Sequence, residues 1–347
     1  MELNGHEQLS IFTDPKVGLK AFIAIHDTTL GPALGGLRFW KHETEEDSLM
    51  DVLRLSRGMT YKSAAAGLNL GGGKALISSS STHKTESMLR SFGKFVESFG
   101  GRYITTEDVG VTTDDIEVIS QETSYVTGLP ISMGGSGDPS EMTALGIYQG
   151  MKACALEVWG EPSLKNSTIA MQGFGKVASC LAKHLLQDNT KIIVTDINKS
   201  ALQRAQEMGL DFIENPDQIY DVECDVFSPC ALGGVINSFT VPKLNCKIVA
   251  GSANNQLLDD NHALMLQKRN ILYAPDYIIN AGGVINISVE MEQDYDSNTA
   301  VEKVSRIYDT ICSVIETSNI QGITTAAAAD VIAENRIKEM KNSGNLL

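Results

Sequence analysis

Hydrophobic and polar positions along the chain fall into two periods, one close to two residues and one close to three and a half. Leu19 to His26 (LKAFIAIH) alternates well enough to predict a strand, and Gly31 to Arg38 (GPALGGLR) reads as a glycine-rich loop after it. From Glu45 to Tyr61, residues Leu49, Val52, Leu53, Leu55 and Met59 recur at helical spacing on a charged background, which predicts an amphipathic helix ending close to Lys62. Asn69 to Lys74 (NLGGGK) reads as a second glycine-rich turn and Ser78 to Thr82 as a polar turn. Lys84 to Phe99 reads as a second amphipathic helix and Arg102 to Thr105 as a short strand, with Glu107 and Asp108 just beyond it.

Composition shifts to Gly, Ser and Pro between Thr127 and Pro139 (TGLPISMGGSGDP), which marks a domain boundary. Beyond it the pattern predicts a helix over Thr143 to Glu157, a strand over Ser167 to Gln172, a helix starting within GFGKVASCLAKHL, and a strand over Lys191 to Thr195. Shorter strand-like runs follow at Asp225 to Phe227, Lys247 to Ala250 and Ile271 to Tyr273. Short strands alternating with helices from Ser167 to Asn286 predict a parallel sheet with right-handed crossovers. Thr299 to Ile337 is helical by periodicity and is expected to pack back across both domains. The expected class is therefore α/β with two domains. One is an N-terminal α/β domain over residues 1–140, joined by a C-terminal helix at about 325–347, and the other is a doubly wound, Rossmann-type domain over residues 141–324, with a cleft between the two.

Length and composition agree with that organisation. A chain of 347 residues exceeds what one core usually serves, and 42% hydrophobic with 20% charged residues describes a globular protein able to bury a large interior. The net charge of −15 opposes a nucleic-acid partner, which would be held by clustered Lys and Arg. No basic start followed by an apolar block opens the chain between Met1 and Leu30, so no signal peptide is read there, and no run of about 18 apolar residues predicts a membrane span. Cys154, Cys180, Cys224, Cys230, Cys246 and Cys312 are scattered without CxxC pairs, which argues against zinc and against a secreted disulfide frame. They are expected to be reduced, mostly buried thiols of a cytoplasmic protein, and no metal is expected.

The candidate chemistry begins at Gly173-Phe174-Gly175-Lys176-Val177-Ala178, which sits between a predicted strand and a predicted helix. Gly173 permits a tight turn, Gly175 lets the backbone approach a pyrophosphate, and small Ala178 lets helix and strand pack closely. Asp196 ends the next strand, 21 residues past Gly175, where a carboxylate can accept hydrogen bonds from an adenosine ribose diol and repel a 2′-phosphate. Alone, such a glycine motif often marks an ordinary turn. With flanking strands and an acidic residue at this distance, it points to NAD in preference to NADP.

Lys62 and Lys74 also stand out. Each taken singly fits a solvated surface charge, yet the glycines before Lys74 would let a ligand crowd the backbone. The segments LGPALGG (30–36), RGMTYK (57–62), GGGK (71–74), ITTEDVG (104–110), QGFGKVA (172–178), SPCALGG (228–234), AGSANNQL (250–257) and APDYIINAGGVIN (274–286) together resemble the glutamate/leucine/phenylalanine/valine dehydrogenases, most closely the leucine-specific ones, over nearly the whole chain.

That resemblance implies an enzyme that converts an apolar L-amino acid to its 2-oxo acid and ammonia with NAD, an N-terminal domain serving substrate binding and oligomerisation, and a homo-oligomer, octamer or dimer. It implies that Lys62 binds the substrate α-carboxylate with help from Gly35, Gly36 and Met59. Lys74 is implied as the general base, its pKa lowered by a second nearby lysine and by burial, and Asp108 as a proton relay. Thr143 and Asn254 are implied near the cofactor and Asn255 near the substrate. The side-chain pocket is implied at Leu34, Thr106, Val284 and Ile287. Thr106 and Ile287 stand where the leucine enzymes carry smaller residues, so the cavity is expected to shrink, which favours valine, 2-aminobutyrate or leucine, with isoleucine in the same branched-chain class, over phenylalanine. Alternatively, Thr106 turns its hydroxyl to the backbone and leaves the volume unchanged. Phenylalanine or tryptophan dehydrogenases of the same family, and an inactive NAD-binding regulatory protein, are the competing readings. Glu141 departs from the family pattern and is expected to be a solvent-facing carboxylate at a helix start.

Overall fold

A computed structural model describes residues 5–78, 84–292 and 295–344, so Ser79 to Thr82 of the expected polar turn and the end of the expected C-terminal helix lie outside the described residues. The chain divides into two compact units. Met1–Asp138, Ile287–Ser297 and Ala333–Leu347 form one, and Pro139–Asn286 with Asn298–Ile332 form the other.

In the first unit, β1 (Gln8–Asp14), β2 (Leu19–Asp27), β3 (Ala33–Phe39), β4 (Gly71–Ile77) and β5 (Tyr103–Glu107) make a sheet ordered β1-β2-β4-β3-β5. β1 and β4 run antiparallel to β2, whereas β3 is parallel to both β4 and β5. Both expected glycine loops are thus strands. The reason is close packing: a side chain at Gly35 would lie 1.7 Å from the Gly73 carbonyl oxygen, and one at Gly72 would lie 2.1 Å from the Thr60 amide. Glycine here lets neighbouring backbone come near, a use that local pattern alone cannot tell from a turn.

The two faces of this sheet are covered differently. Leu19, Ala21, Ile23, Ile25, Ala33, Leu37, Ala75, Ile77 and Tyr103 pack with Phe92, Phe95 and Val96 of α2 (Glu86–Glu97) and Ile116 and Ile119 of α3 (Thr113–Ser120). Phe22, Ala24 and Leu76 face Val52 of α1 (Glu45–Ala65). A capping box between Thr44 and Asp47 starts α1, and three acidic residues in its first turn suit the positive end of the helix dipole. Its buried stripe is Ser48, Val52, Ser56, Thr60 and Ala64, smaller and more polar than the periodic Leu and Met positions suggested, because a helix laid on a glycine strand must present small side chains. Arg336 closes the other end of α1. Its guanidinium donates to the carbonyls of Leu68 (2.6 Å), Gly67 (2.9 Å) and Ala64 (3.2 Å) and to Asn69 Oδ1 (2.9 Å).

The second unit opens with α4 (Ser140–Trp159). β6 (Thr168–Gln172), α5 (Lys176–Gln187), β7 (Lys191–Thr195), α6 (Lys199–Glu207), β8 (Asp211–Phe212), β9 (Val226–Pro229), β10 (Ile248–Val249), α7 (Asn261–Lys268) and β11 (Leu272–Tyr273) follow. Its six strands are ordered β11-β10-β9-β6-β7-β8 and every pair is parallel, as the alternation of short strands and helices predicted. α8 (Asp276–Ile279), α9 (Gly282–Glu290), α10 (Ser297–Ser305), α11 (Ile307–Gln321) and α12 (Thr325–Gly344) complete the chain. α9 and α12 each contribute residues to both units. Of the six cysteines, only Cys154 and Cys246 are buried, fewer than expected, and the other four are part-exposed thiols. Among the described residues no helix is long and apolar enough to cross a membrane.

Candidate active site

Strand alternation in the first unit sends Ala33, Leu37, Ala75, Ile77 and Tyr103 to the face that α2 and α3 cover. Leu34, Gly36 and Arg38 of β3, Gly72 and Lys74 of β4 and Thr106 of β5 therefore share the opposite face, where α1 lies, and Asp108 follows β5 directly. The register agrees: Gly36 pairs with Thr106, and Leu34 pairs with both Gly72 and Ile104. A side chain at Gly36 would lie 2.7 Å from Asp108 Cβ, so this glycine makes room for the carboxylate. Gly35 points the other way, and its carbonyl accepts from the Tyr103 hydroxyl at 2.6 Å.

Lys74 is 5% exposed and its ammonium forms an ion pair with Asp108 Oδ2. Arg38 Nε donates to the same oxygen at 3.1 Å, and the Val109 amide donates to Oδ1 at 2.8 Å. The other arm of Arg38 reaches Asp51 Oδ2 of α1 at 3.2 Å, and His42 and Arg54 approach that carboxylate at 3.4 and 3.7 Å. Burial pushes the Lys74 ammonium below the ordinary lysine range and Arg38 pushes it further, while the Asp108 charge opposes both. Burial alone would raise Asp108, but Lys74 and Arg38 outweigh it and hold the carboxyl well below the usual range. The leading cation acting on Lys74 is thus an arginine, where the resemblance implied a second lysine. Lys62 is half-buried in the last turn of α1, two residues after Thr60, and Met59 is half-buried one turn earlier.

Leu34 is fully buried and Thr106 is 6% exposed. The Thr106 hydroxyl has no hydrogen-bond partner, which removes the alternative that it turns to the backbone. Ile287 and Val284 are both buried on α9. One turn past Ile287, Glu290 accepts from the amides of Gly128, Leu129 and Ser136 at 2.9–3.2 Å and from the Ser136 hydroxyl at 2.5 Å, fastening the segment that precedes Pro139. Pattern reading passed over Arg38, Asp51 and Glu290. For Arg38 a signal existed, since it stands two residues past Gly36 and shares its face once residues 33–39 are read as a strand.

In the second unit, Gly173 takes φ +93° between β6 and α5, and a side chain there would lie 2.7 Å from Ala231 Cβ. A side chain at Gly175 would meet nothing, and no side chain caps the helix it begins. Phe174 and Ala178 are buried, while Lys176 is exposed and Val177 half-exposed at the helix start. Asp196 is half-buried at the end of β7. Its Oδ2 accepts from the Phe174 amide at 2.7 Å and its Oδ1 from the Asn198 amide at 2.8 Å, so it braces the glycine turn from below. A carboxylate has about four acceptor sites, which leaves capacity on both oxygens.

Asn254 Oδ1 accepts from Asn280 Nδ2 at 2.8 Å, and Asn255 adopts φ +51° with its carbonyl accepting from the Gly234 amide at 2.7 Å. The Thr143 hydroxyl donates to the Pro139 carbonyl at 2.9 Å and lies against Gly283. Glu141 is exposed as expected but not without a partner, since its Oε1 lies 3.0 Å from His184 Nε2, and that imidazole stacks on Tyr148. Among the described residues no cluster of three or more His, Cys, Asp or Glu that could hold a metal ion comes together.

Residues 6–125 match the family model "Glu/Leu/Phe/Val dehydrogenase, dimerisation domain", and residues 134–207 and 194–344 match "Glutamate/Leucine/Phenylalanine/Valine dehydrogenase". A leucine dehydrogenase from Thermoactinomyces intermedius is 53% identical over 99% of this chain and 94% of its own. A phenylalanine dehydrogenase from Bacillus thermotolerans is 46% identical over 97% of this chain and 90% of its own. The crystal structure of L-tryptophan dehydrogenase from Nostoc punctiforme superposes with a TM-score of 0.85 at 43% identity, covering 98% of each chain. With both sheets, the glycine-lined Lys74–Asp108 pair and the strand–glycine turn–helix in place, the chain belongs to the glutamate/leucine/phenylalanine/valine dehydrogenase family of amino acid dehydrogenases.

Proposed function

We propose that the enzyme carries out NAD-dependent, reversible oxidative deamination of a branched-chain or small apolar L-amino acid (leucine, valine or isoleucine), giving the 2-oxo acid and ammonia. The observation that carries this reading is the ion pair of buried Lys74 with part-buried Asp108 on a glycine-lined sheet face. Open space at Gly175, the left-handed turn at Gly173 and the uncapped start of α5 fit a dinucleotide held by residues 173–178 and Asp196, with Thr143 and Asn254 as further contacts. Bound there, NAD supplies the acceptor for the hydride that leaves the substrate Cα.

The chain's own groups do the rest. Lys62 neutralises the substrate carboxylate, with Gly35, Gly36 and Met59 shaping its seat. Lys74 in its neutral form takes a proton from the water that attacks the substrate imine, and Asp108 passes that proton on as ammonia leaves. A buried lysine beside a guanidinium is suited to this work, because both influences favour the neutral amine.

Leu34, Thr106 and Ile287 of the first unit are the proposed side-chain wall. All but Thr106 are apolar, which disfavours glutamate, and the relatives named leucine dehydrogenase support a branched aliphatic substrate. Relatives named for phenylalanine and tryptophan support an aromatic substrate as the second reading. Following NADH absorbance at alkaline pH with leucine, valine, isoleucine, phenylalanine, tryptophan and glutamate decides between them. Lys74→Ala is expected to lower kcat by about 10²–10⁴-fold. Wild-type turnover of an aromatic substrate above the aliphatic ones would overturn the substrate assignment, and an active Lys74→Ala would overturn the base. The enzyme is further proposed to be a cytoplasmic homo-oligomer, octamer or dimer, which light scattering tests.

A further inference from the structure

Asp108 Oδ2 receives two cations, the Lys74 ammonium and the Arg38 guanidinium, and Arg38 is itself tied back to Asp51 of α1. An isolated Lys–Asp pair in a buried place would keep its proton on lysine, since each charge stabilises the other. A base cannot work in that state. Sharing the carboxylate oxygen weakens its hold on Lys74, and the fixed positive charge of Arg38, which does not deprotonate in proteins, disfavours a second cation beside it. From these contacts we propose that Arg38 is a positioning residue that divides Asp108 between two cations, so that Lys74 can release its proton and act as the base. This rests on Lys74 being the base, as proposed for the reaction.

The charged and titratable surroundings are consistent with Arg38 as the controlling group. Asp108 lies past β5, Arg38 is on β3, His42 is in the loop after β3, and Asp51, Arg54 and Lys62 are on α1. β2 sets uncharged Ala24 opposite Lys74, and His26, two residues on, meets the Thr60 hydroxyl at 2.9 Å. β5 adds Tyr103, whose hydroxyl donates to Gly35, and Glu107, which accepts from Thr113 at 3.1 Å. Arg38 and Lys74 both make hydrogen-bonded ion pairs with Asp108, on one and the same oxygen.

The test is the position, in pH, of two independent readouts in the full-length enzyme. One is the acidic limb of kcat/KM. The other is the rate at which acetic anhydride acetylates Lys74, followed by peptide mass, which needs no turnover. In Arg38→Gln both are expected to move to higher pH by about one unit or more, and in Arg38→Lys, which keeps the charge and loses the two-armed reach, by about half as much. Circular dichroism checks folding, and Arg38→Lys carries the test should Arg38→Gln not fold. A folded variant whose Lys74 labelling curve stays at the wild-type pH, with activity lowered evenly at every pH, overturns the proposal and leaves Arg38 a structural brace. If Lys74→Ala is fully active, the base assignment fails instead, while the labelling curves still report whether Arg38 governs the Lys74 proton.

Discussion

Thr106 shows how much one side chain can decide. It is buried and its hydroxyl is unpartnered, and Gly128 makes room for that oxygen, since a side chain there would lie 2.9 Å from it. Thr106→Ala enlarges the proposed wall by roughly the volume that separates valine from leucine. A methylene in such a place is worth about 1–3 kcal/mol of discrimination. The ratio of kcat/KM for leucine over valine is therefore expected to rise by about tenfold or more. An unchanged ratio, with activity retained, would remove Thr106 from the wall. Arg38 works at the same scale through charge, and its partner Asp51 is buried to 9% exposure, which keeps that guanidinium aimed at Asp108.

At the scale of elements, the turn from β6 into α5 separates two uses of glycine. Gly173 is required by the protein itself, because its φ is +93° and Ala231 crowds the side-chain direction. Gly173→Ala is expected to cost about 1–3 kcal/mol of stability, read as a lower Tm. Gly175 has negative φ and open space beside it, so nothing in the protein forbids a side chain there. Gly175→Ala is expected to melt within a degree or two of the wild type and to bind NADH at least about tenfold more weakly in a fluorescence titration. Wild-type affinity in that variant would remove the turn from the proposed nucleotide site.

The whole molecule returns its C-terminal residues to the first unit. Ala333–Leu347 groups with Met1–Asp138, and within that unit Arg336 caps the end of α1, Tyr61 donates to Glu334 at 2.8 Å and Lys341 pairs with Asp27 at 2.8 Å. α1 carries Met59, Lys62 and the Asp51 anchor, so the far end of the chain holds the helix that the site depends on. Arg336→Ala strips partners from several carbonyls at once. It is expected to destabilise the protein by about 1–3 kcal/mol, seen as a lower Tm and as faster hydrogen exchange over residues 60–69. Unchanged exchange there would mean that water replaces the guanidinium without cost.

Much of this was legible in the chain itself. Period-two and helical runs located β2, α1, α2 and the parallel strands β6, β7, β9, β10 and β11, but not the two-residue β8, because burial on one face imposes a repeat on the sequence only where an element is long enough to show it. The glycine turn with Asp196 at its distance, and the ordered motifs around Lys62, Lys74 and Asp108, were equally plain. The strands β3 and β4 were not, since Gly35, Gly36, Gly72 and Gly73 have no side chains whose alternation could announce a face; only the approach of Tyr103, Thr60 and Asp108 explains them. Nor could spacing show that Arg38 shares an oxygen with Lys74 or that Glu141 faces His184, because such pairings are made by distance in space between residues remote in sequence. Residue types and local repeats belonged to the sequence, whereas the proton balance at Lys74 was decided by which charges the fold brought within a few ångströms of it.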